Sequence, residues 1–128
     1  MVELEKMQFN EQIRERTLKM SVAIHELFVS RKVSPVSRPI VNQIVRSSAS
    51  VAANYRASTR SRSDAEFFSK ICIVVEECDE TQFWLDYLLR IGLLTESETR
   101  PIVSEALQFV KLFTSIKKKM KDKIEGKI

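Results

Sequence analysis

Apolar residues recur along most of this chain in the alternating four- and three-residue steps of one helix face. The longest run is Asp64–Leu89, where Phe67, Ile71, Val74, Cys78, Thr81, Leu85 and Leu88 make one stripe and Phe68, Val75, Gln82 and Leu89 a second beside it. Trp84 and Tyr87 widen the apolar surface, so this segment predicts a core helix that meets neighbours on more than one side. Upstream, Ile13, Thr17, Met20, Ile24 and Leu27 predict a helix over about 10–31 with Asn10 as its N-cap. Ile40, Ile44, Ser47, Val51 and Asn54 predict another over about 39–57, in which small residues permit close helix approach. Downstream, Ile102, Ala106, Phe109, Phe113, Ile116 and Met120 predict a last helix over about 96–122, and the Asp64 run itself fills about 64–91.

The breaks agree with these stripes. KVSPVSRP carries two prolines, which end the first helix, and Pro39 suits the first turn of the second with Ser37 as its cap. STRSRS interrupts the pattern, and Ser63 or Asp64 can cap the third helix. Gly92 is a natural left-handed C-cap, and Thr95 caps the fourth helix. Pro101 falls late for a first-turn residue, so that boundary is expected to shift by a few residues. Four helices joined by short loops imply an all-α, antiparallel up-down-up-down four-helix bundle, one domain over 1–128.

Composition narrows the class. Hydrophobic residues are 44% and charged residues 30% of the 128, with only 2 Gly and 3 Pro, which excludes a turn-rich β protein and a disordered chain. Cys72 and Cys78 lie six residues apart on one helix, about 600° of rotation, so they cannot bridge each other and read as reduced, half-buried thiols. No apolar run approaches a membrane span, and MVELEKMQFNEQ lacks the features of a signal peptide, so a cytoplasmic protein with no membrane partner is expected.

Catalytic chemistry finds little support. Glu76, Glu77, Asp79 and Glu80 cluster on the third helix, but His25 is the one histidine, and no Glu stands three residues before it as di-iron bundles require. Folding the chain back about residue 60 sets Arg46 within reach of Glu77 or Glu80, which gives the acids an ion-pair role instead. Ser47, Ser50 and Asn54 would line a small pocket or, as buried polar groups usually do, bond neighbouring backbone and side chains. No base accompanies either cysteine, and two glycines make no phosphate loop. The expectation is a protein with no enzymatic activity, cofactor or metal.

The net charge of +4 matters only if positive residues gather. Arg56, Arg60 and Arg62 crowd the connection between the second and third helices, and Lys117, Lys118, Lys119, Lys121, Lys123 and Lys127 crowd the C-terminal end. In the predicted topology helices two and four run the same way, so both groups share one end of the bundle. Such an end suits RNA or DNA phosphates, with weak sequence selectivity and strong salt dependence. Lysines also close a helix C-terminus favourably and maintain solubility, which leaves a structural or protein-interaction module without a nucleic-acid role as the alternative.

IVRSSASVAANYRAS followed by SDAEFFSKICIVVEECDETQFWLDYL and LLRIGLL resembles the four helix bundle protein family, also called the 23S rRNA-intervening sequence proteins. The similarity runs from about Leu27 to Phe113 and falls on Arg46, Ser47, Ser50, Asn54, Tyr55, Arg56, Glu77, Glu80, Trp84 and Leu85. Ala57-Ser58 stands where many relatives carry Glu-Ala. The resemblance implies a bundle that assembles as a homopentamer, similar in architecture to the accessory protein of diversity-generating retroelements, a basic pentamer that binds nucleic acid and a reverse transcriptase. It also implies a gene within an rRNA intervening sequence, and it brings no established activity.

Overall fold

Residues 2–127 are described by a computed structural model. Four helices account for most of them: α1 (Glu3–Phe28), α2 (Arg38–Ser58), α3 (Asp64–Arg90) and α4 (Glu96–Ile124). Each start has a local cause. Ser63 Oγ accepts from the Glu66 amide at 3.1 Å and opens α3. At α4, Thr95 Oγ1 accepts from the Glu98 amide at 3.3 Å while Glu98 Oε1 accepts from the Thr95 amide at 2.9 Å, a reciprocal capping box. α3 stops where Gly92 turns to φ 76°, letting the Leu93 amide reach back to the Leu88 carbonyl at 3.1 Å.

Three expectations need correction. α1 begins two turns earlier than residue 10 and ends at Phe28, so Asn10 is no cap. It lies inside the helix and accepts a hydrogen bond from the Tyr55 hydroxyl at 3.3 Å. Ser37 occupies the cap position of α2, but its side chain makes no capping bond. The α4 boundary does not shift: Thr95 caps it, and Pro101 sits within the helix on the exposed surface, where water can serve the carbonyl that loses its amide partner.

Contacts fix the directions. Asn10 meets Tyr55 while the 29–37 turn joins the other ends of α1 and α2. Asp64 meets Lys123 across α3 and α4; Arg16 of α1 reaches Glu105 of α4, and Arg31, just past the end of α1, reaches Glu98 near the start of α4. Every neighbouring pair is therefore antiparallel. α2 packs most closely on α3, where Ser47 Oγ lies 2.9 Å from Thr81 Oγ1 in the buried seam. The α1–α4 seam is the sparsest, and long side chains span it: Arg16 Nε donates to Glu105 at 3.2 Å, and its guanidinium lies over the Phe109 ring at 5.0 Å.

The core is one continuous cluster, drawn from Ile13 and Ile24, Ile44 and Val51, Ile71, Val74, Leu85 and Leu88, and Phe109 and Phe113. Tyr55 tilts against Phe113 at a centroid distance of 5.4 Å, and Phe109 stacks on Phe113 at 5.6 Å. Burying a side chain of this size stabilises by about 1.5–3 kcal/mol. Burial in α2 is broader than the sequence stripe: Val41, Ser48, Tyr55 and Ser58 are buried, while Ile40 and Asn54 are half-buried.

Candidate nucleic-acid interface

Midway along the α2–α3 seam, helical spacing places Glu77 and Glu80 one turn apart opposite Arg46. Arg46 Nη1 donates to Glu77 at 2.9 Å and Nη2 to Glu80 at 2.6 Å, and Trp84 Nε1 donates to Glu80 at 3.2 Å. Partial desolvation pushes the Glu80 carboxyl upward, but the bonds from Trp84 and Arg46 outweigh it and hold the group below the usual carboxylate range. The paired carboxylates raise the Arg46 guanidinium in turn. This cluster locks charge into a seam; it presents no free acid or base. Asn54 turns inward on its own helix, donating to the Ser50 carbonyl at 3.0 Å and to Ser50 Oγ at 2.9 Å.

The thiols are equally uninviting. Burial pushes Cys78 up to about 12, with Glu77 and Asp79 adding to the rise, so no thiolate forms near neutrality. Among the described residues no group of His, Cys, Asp and Glu could hold a metal ion, and no helix is long and apolar enough to cross a membrane.

One end of the bundle is different. Here α2 and α4 finish and α1 and α3 begin. Arg60 and Arg62 are exposed in the α2–α3 connection, and Lys118, Lys119 and Lys121 are exposed on the last turns of α4, with Lys117 half-buried. A groove of about 380 Å³ lies between the α2–α3 connection and the end of α4, lined by Lys6, Asn10, Ser61, Arg62 and Lys123 among others; Arg60, Lys117, Lys118, Lys119 and Lys121 lie outside its lining. Ser61 Oγ, buried in this connection, is the one buried side-chain polar atom without a hydrogen-bond partner among the described residues. Lys123 is partly neutralised by Asp64 at 3.3 Å. Arg56 is not part of this groove; it lines a smaller one between α1 and α2 with Arg14, Leu18 and Ala53. The lysines ring the last turns of α4, because Lys117 and Lys121 share one flank, Lys119 and Lys123 another, and Lys118 points between them.

Lys6 was missed by sequence reasoning because the first helix was started too late. The charge pattern Glu3, Glu5, Lys6 ahead of Phe9 was the available signal, since acids favour a helix N-terminus.

Fold and surface together define a four-helix bundle with exposed basic residues gathered at one end. The sequence matches the model of the 23S rRNA-intervening sequence protein over residues 10–115, and the chain belongs to that family. It is also similar to the solved structure of a protein of unknown function from the S23 ribosomal protein family of Bacteroides thetaiotaomicron VPI-5482. The two share 29% identity, with 83% of this chain and 98% of that chain covered and a TM-score of 0.74. No curated protein matches the chain.

Proposed function

We propose that the protein is a non-enzymatic, self-associating bundle of the cytoplasm that binds RNA or DNA phosphates through its basic end. One observation carries this: cations without an ion-pair partner crowd one end. Among the described residues Arg60, Arg62, Lys117, Lys118, Lys119 and Lys121 have no carboxylate within ion-pair distance; Arg14, Arg16, Arg31, Arg46, Arg90 and Arg100 do, while unpaired Lys19, Lys32, Arg38, Arg56, Lys70 and Lys111 are scattered over the rest of the bundle. Exposed cations left without internal partners and gathered at one end are what a polyanion site needs. Assembly as a homopentamer is supported by the family resemblance, and it would repeat the basic end around an axis, multiplying weak phosphate contacts.

A specific observation favours a second reading, that of a protein-interaction module. The outer face of α3 exposes Phe83 and Tyr87 packed around Trp84, an aromatic cluster that no other part of the described chain covers. Light scattering with and without a structured RNA, at low and at physiological salt, separates the readings. The expected result is an oligomer that takes up RNA at low salt and releases it as salt rises. An oligomer indifferent to RNA at low salt overturns the nucleic-acid reading, and a monomer overturns the assembly.

A further inference from the structure

We propose that the groove between the α2–α3 connection and the end of α4 seats the phosphorylated end of a nucleic-acid strand, a phosphate monoester. The proposal rests on the nucleic-acid reading above and names the chemical group that this part of the basic end selects.

Three elements meet at the groove, and each brings a cation. Lys6 comes from the first turn of α1, Arg62 from the connection and Lys123 from the last turn of α4. All three are exposed, and Lys6 and Arg62 have no carboxylate within ion-pair distance among the described residues. Asp64 is the one acid in the lining, and Lys123 holds it at 3.3 Å. Three cations against one carboxylate leave the groove two positive charges in excess. A terminal phosphate monoester carries about 1.5 to 2 negative charges at neutral pH, whereas an internal diester carries one. Charge balance favours the chain end.

Hydrogen bonding points the same way. Four hydroxyls line this corner, and three already have partners. Ser58 Oγ donates to the Tyr55 carbonyl at 2.6 Å, Thr59 Oγ1 donates to the Arg56 carbonyl at 2.6 Å, and Ser63 Oγ accepts from the Glu66 amide at 3.1 Å. Ser61 Oγ alone is buried without one. An unbonded buried hydroxyl destabilises a fold, and the groove that Ser61 lines is where the missing acceptor would sit. The Ser61 amide donates to the Ser58 carbonyl at 3.2 Å, so an ordered turn delivers this hydroxyl. Because Oγ holds no bond where it stands, turning it about χ1 to a phosphate oxygen sacrifices none.

Further donors flank it. The Ser63 side chain and carbonyl take the Glu66 and Phe67 amides, which leaves the Asp64 and Ala65 amides at the start of α3 without acceptors among the described residues. Asn10 Oδ1 accepts from the Tyr55 hydroxyl, while Asn10 Nδ2 donates to nothing among the described residues. A phosphate oxygen is an acceptor that suits a helix start, an orphan hydroxyl, a side-chain amide and three cations alike. At about 380 Å³ the groove has the size of a small-molecule site, and the half-buried Phe67 and Met120 add an apolar wall for the terminal sugar or base. An internal diester, flanked by sugars on both sides, is held out at the surface; a chain end has one free side and can enter.

One short single-stranded RNA, prepared with a 5′-phosphate, with a 3′-phosphate or with hydroxyls at both ends, tests this by fluorescence anisotropy at physiological salt. The wild type is expected to bind at least one phosphorylated form about tenfold more tightly than the hydroxyl form, and the favoured form tells which end is read. Ser61→Ala and, separately, Lys6→Gln with Arg62→Gln should each cut that preference to about twofold or less. Lys118→Gln with Lys119→Gln, outside the groove, should weaken all three forms alike and keep the ratio. Ser61→Ala should melt no lower than the wild type, because its hydroxyl has no partner to lose, so a lost preference there does not come from unfolding. Equal affinity of the wild type for the three forms, or a preference that survives both groove variants, overturns the inference and leaves the nucleic-acid reading standing. Failure to bind any form removes that reading and the inference with it.

Discussion

The two ends of this bundle are made from the same parts, two helices finishing and two beginning, and they treat charge in opposite ways. At the end where α1 and α3 finish, Arg31 donates to the Leu27 carbonyl at 3.0 Å, to the Leu93 carbonyl and to Glu98. Glu98 is also the second half of the Thr95 capping box, so one guanidinium and one carboxylate tie α1, the α3–α4 turn and the start of α4 together. At the opposite end the cations are more numerous and almost none is matched internally; Lys123 with Asp64 and Lys127 with Glu125 are the exceptions. Helix C-termini favour cations, which makes the lysines of α4 tolerable there, but the dipole does not account for Arg60 and Arg62 in the connection. One end uses Arg31 for cohesion, and the other gathers arginines and lysines that have almost no partner within the described chain.

The largest expected effect breaks the basic end. Changing Arg60, Arg62, Lys118 and Lys119 together to Glu should weaken binding of a structured RNA at low salt by roughly 100-fold or more, given the dependence on phosphate contacts. The melting temperature should scarcely move, because none of the four has an internal partner; anisotropy and calorimetry measure the two halves. Next comes the tied end. Arg31→Ala removes the donor shared by the Leu93 carbonyl and one Glu98 carboxylate oxygen and should lower the midpoint of urea unfolding, with RNA affinity unchanged. Thr95→Ala removes half of the capping box and should cost about 1 kcal/mol by the same measurement.

The smallest effect is a pH dependence confined to the tied end. Hydrogen bonds from Arg31 and from the Thr95 amide hold the Glu98 carboxyl down to about 2, against an ordinary value of 4.5. A depressed carboxylate contributes stability that is complete above its unfolded value and is lost as pH falls through the folded one. The α1–α4 tie should therefore weaken between about pH 4.5 and 2, and Glu98→Gln should flatten that part of a melting-temperature profile. If the profile of the variant keeps the same slope there, the tie does not titrate through Glu98.

Much of the fold was legible because helix periodicity is a local signal. Of the stripe Phe67, Ile71, Val74, Cys78, Thr81, Leu85, Leu88, all but the half-buried Phe67 form the buried face of α3, and Ser63, Gly92 and Thr95 mark its ends and the next start. Arg46 meets Glu77 and Glu80 because an antiparallel register about one loop fixes what lies opposite. The early turns of α1 were not legible, since Val2, Leu4 and Met7 are exposed and follow no core stripe there. Partners across the α1–α4 seam were hidden for a different reason: Arg16 with Glu105 and Arg31 with Glu98 depend on how the first and last helices close the bundle, which no local pattern encodes. Arg56 shows the same limit at the candidate site, for its place in the chain beside Arg60 gives no hint that it turns to the α1–α2 groove.

The most direct test is the salt dependence of RNA binding, followed by fluorescence anisotropy from low to physiological salt for the wild type and for the four-charge variant at Arg60, Arg62, Lys118 and Lys119. The account predicts a steep log–log decline for the wild type and a clearly shallower one for the variant, by roughly 0.7–0.9 in slope for each phosphate that the variant no longer neutralises. A variant that binds with wild-type affinity and slope, or a wild type that binds no RNA even at low salt, would contradict it.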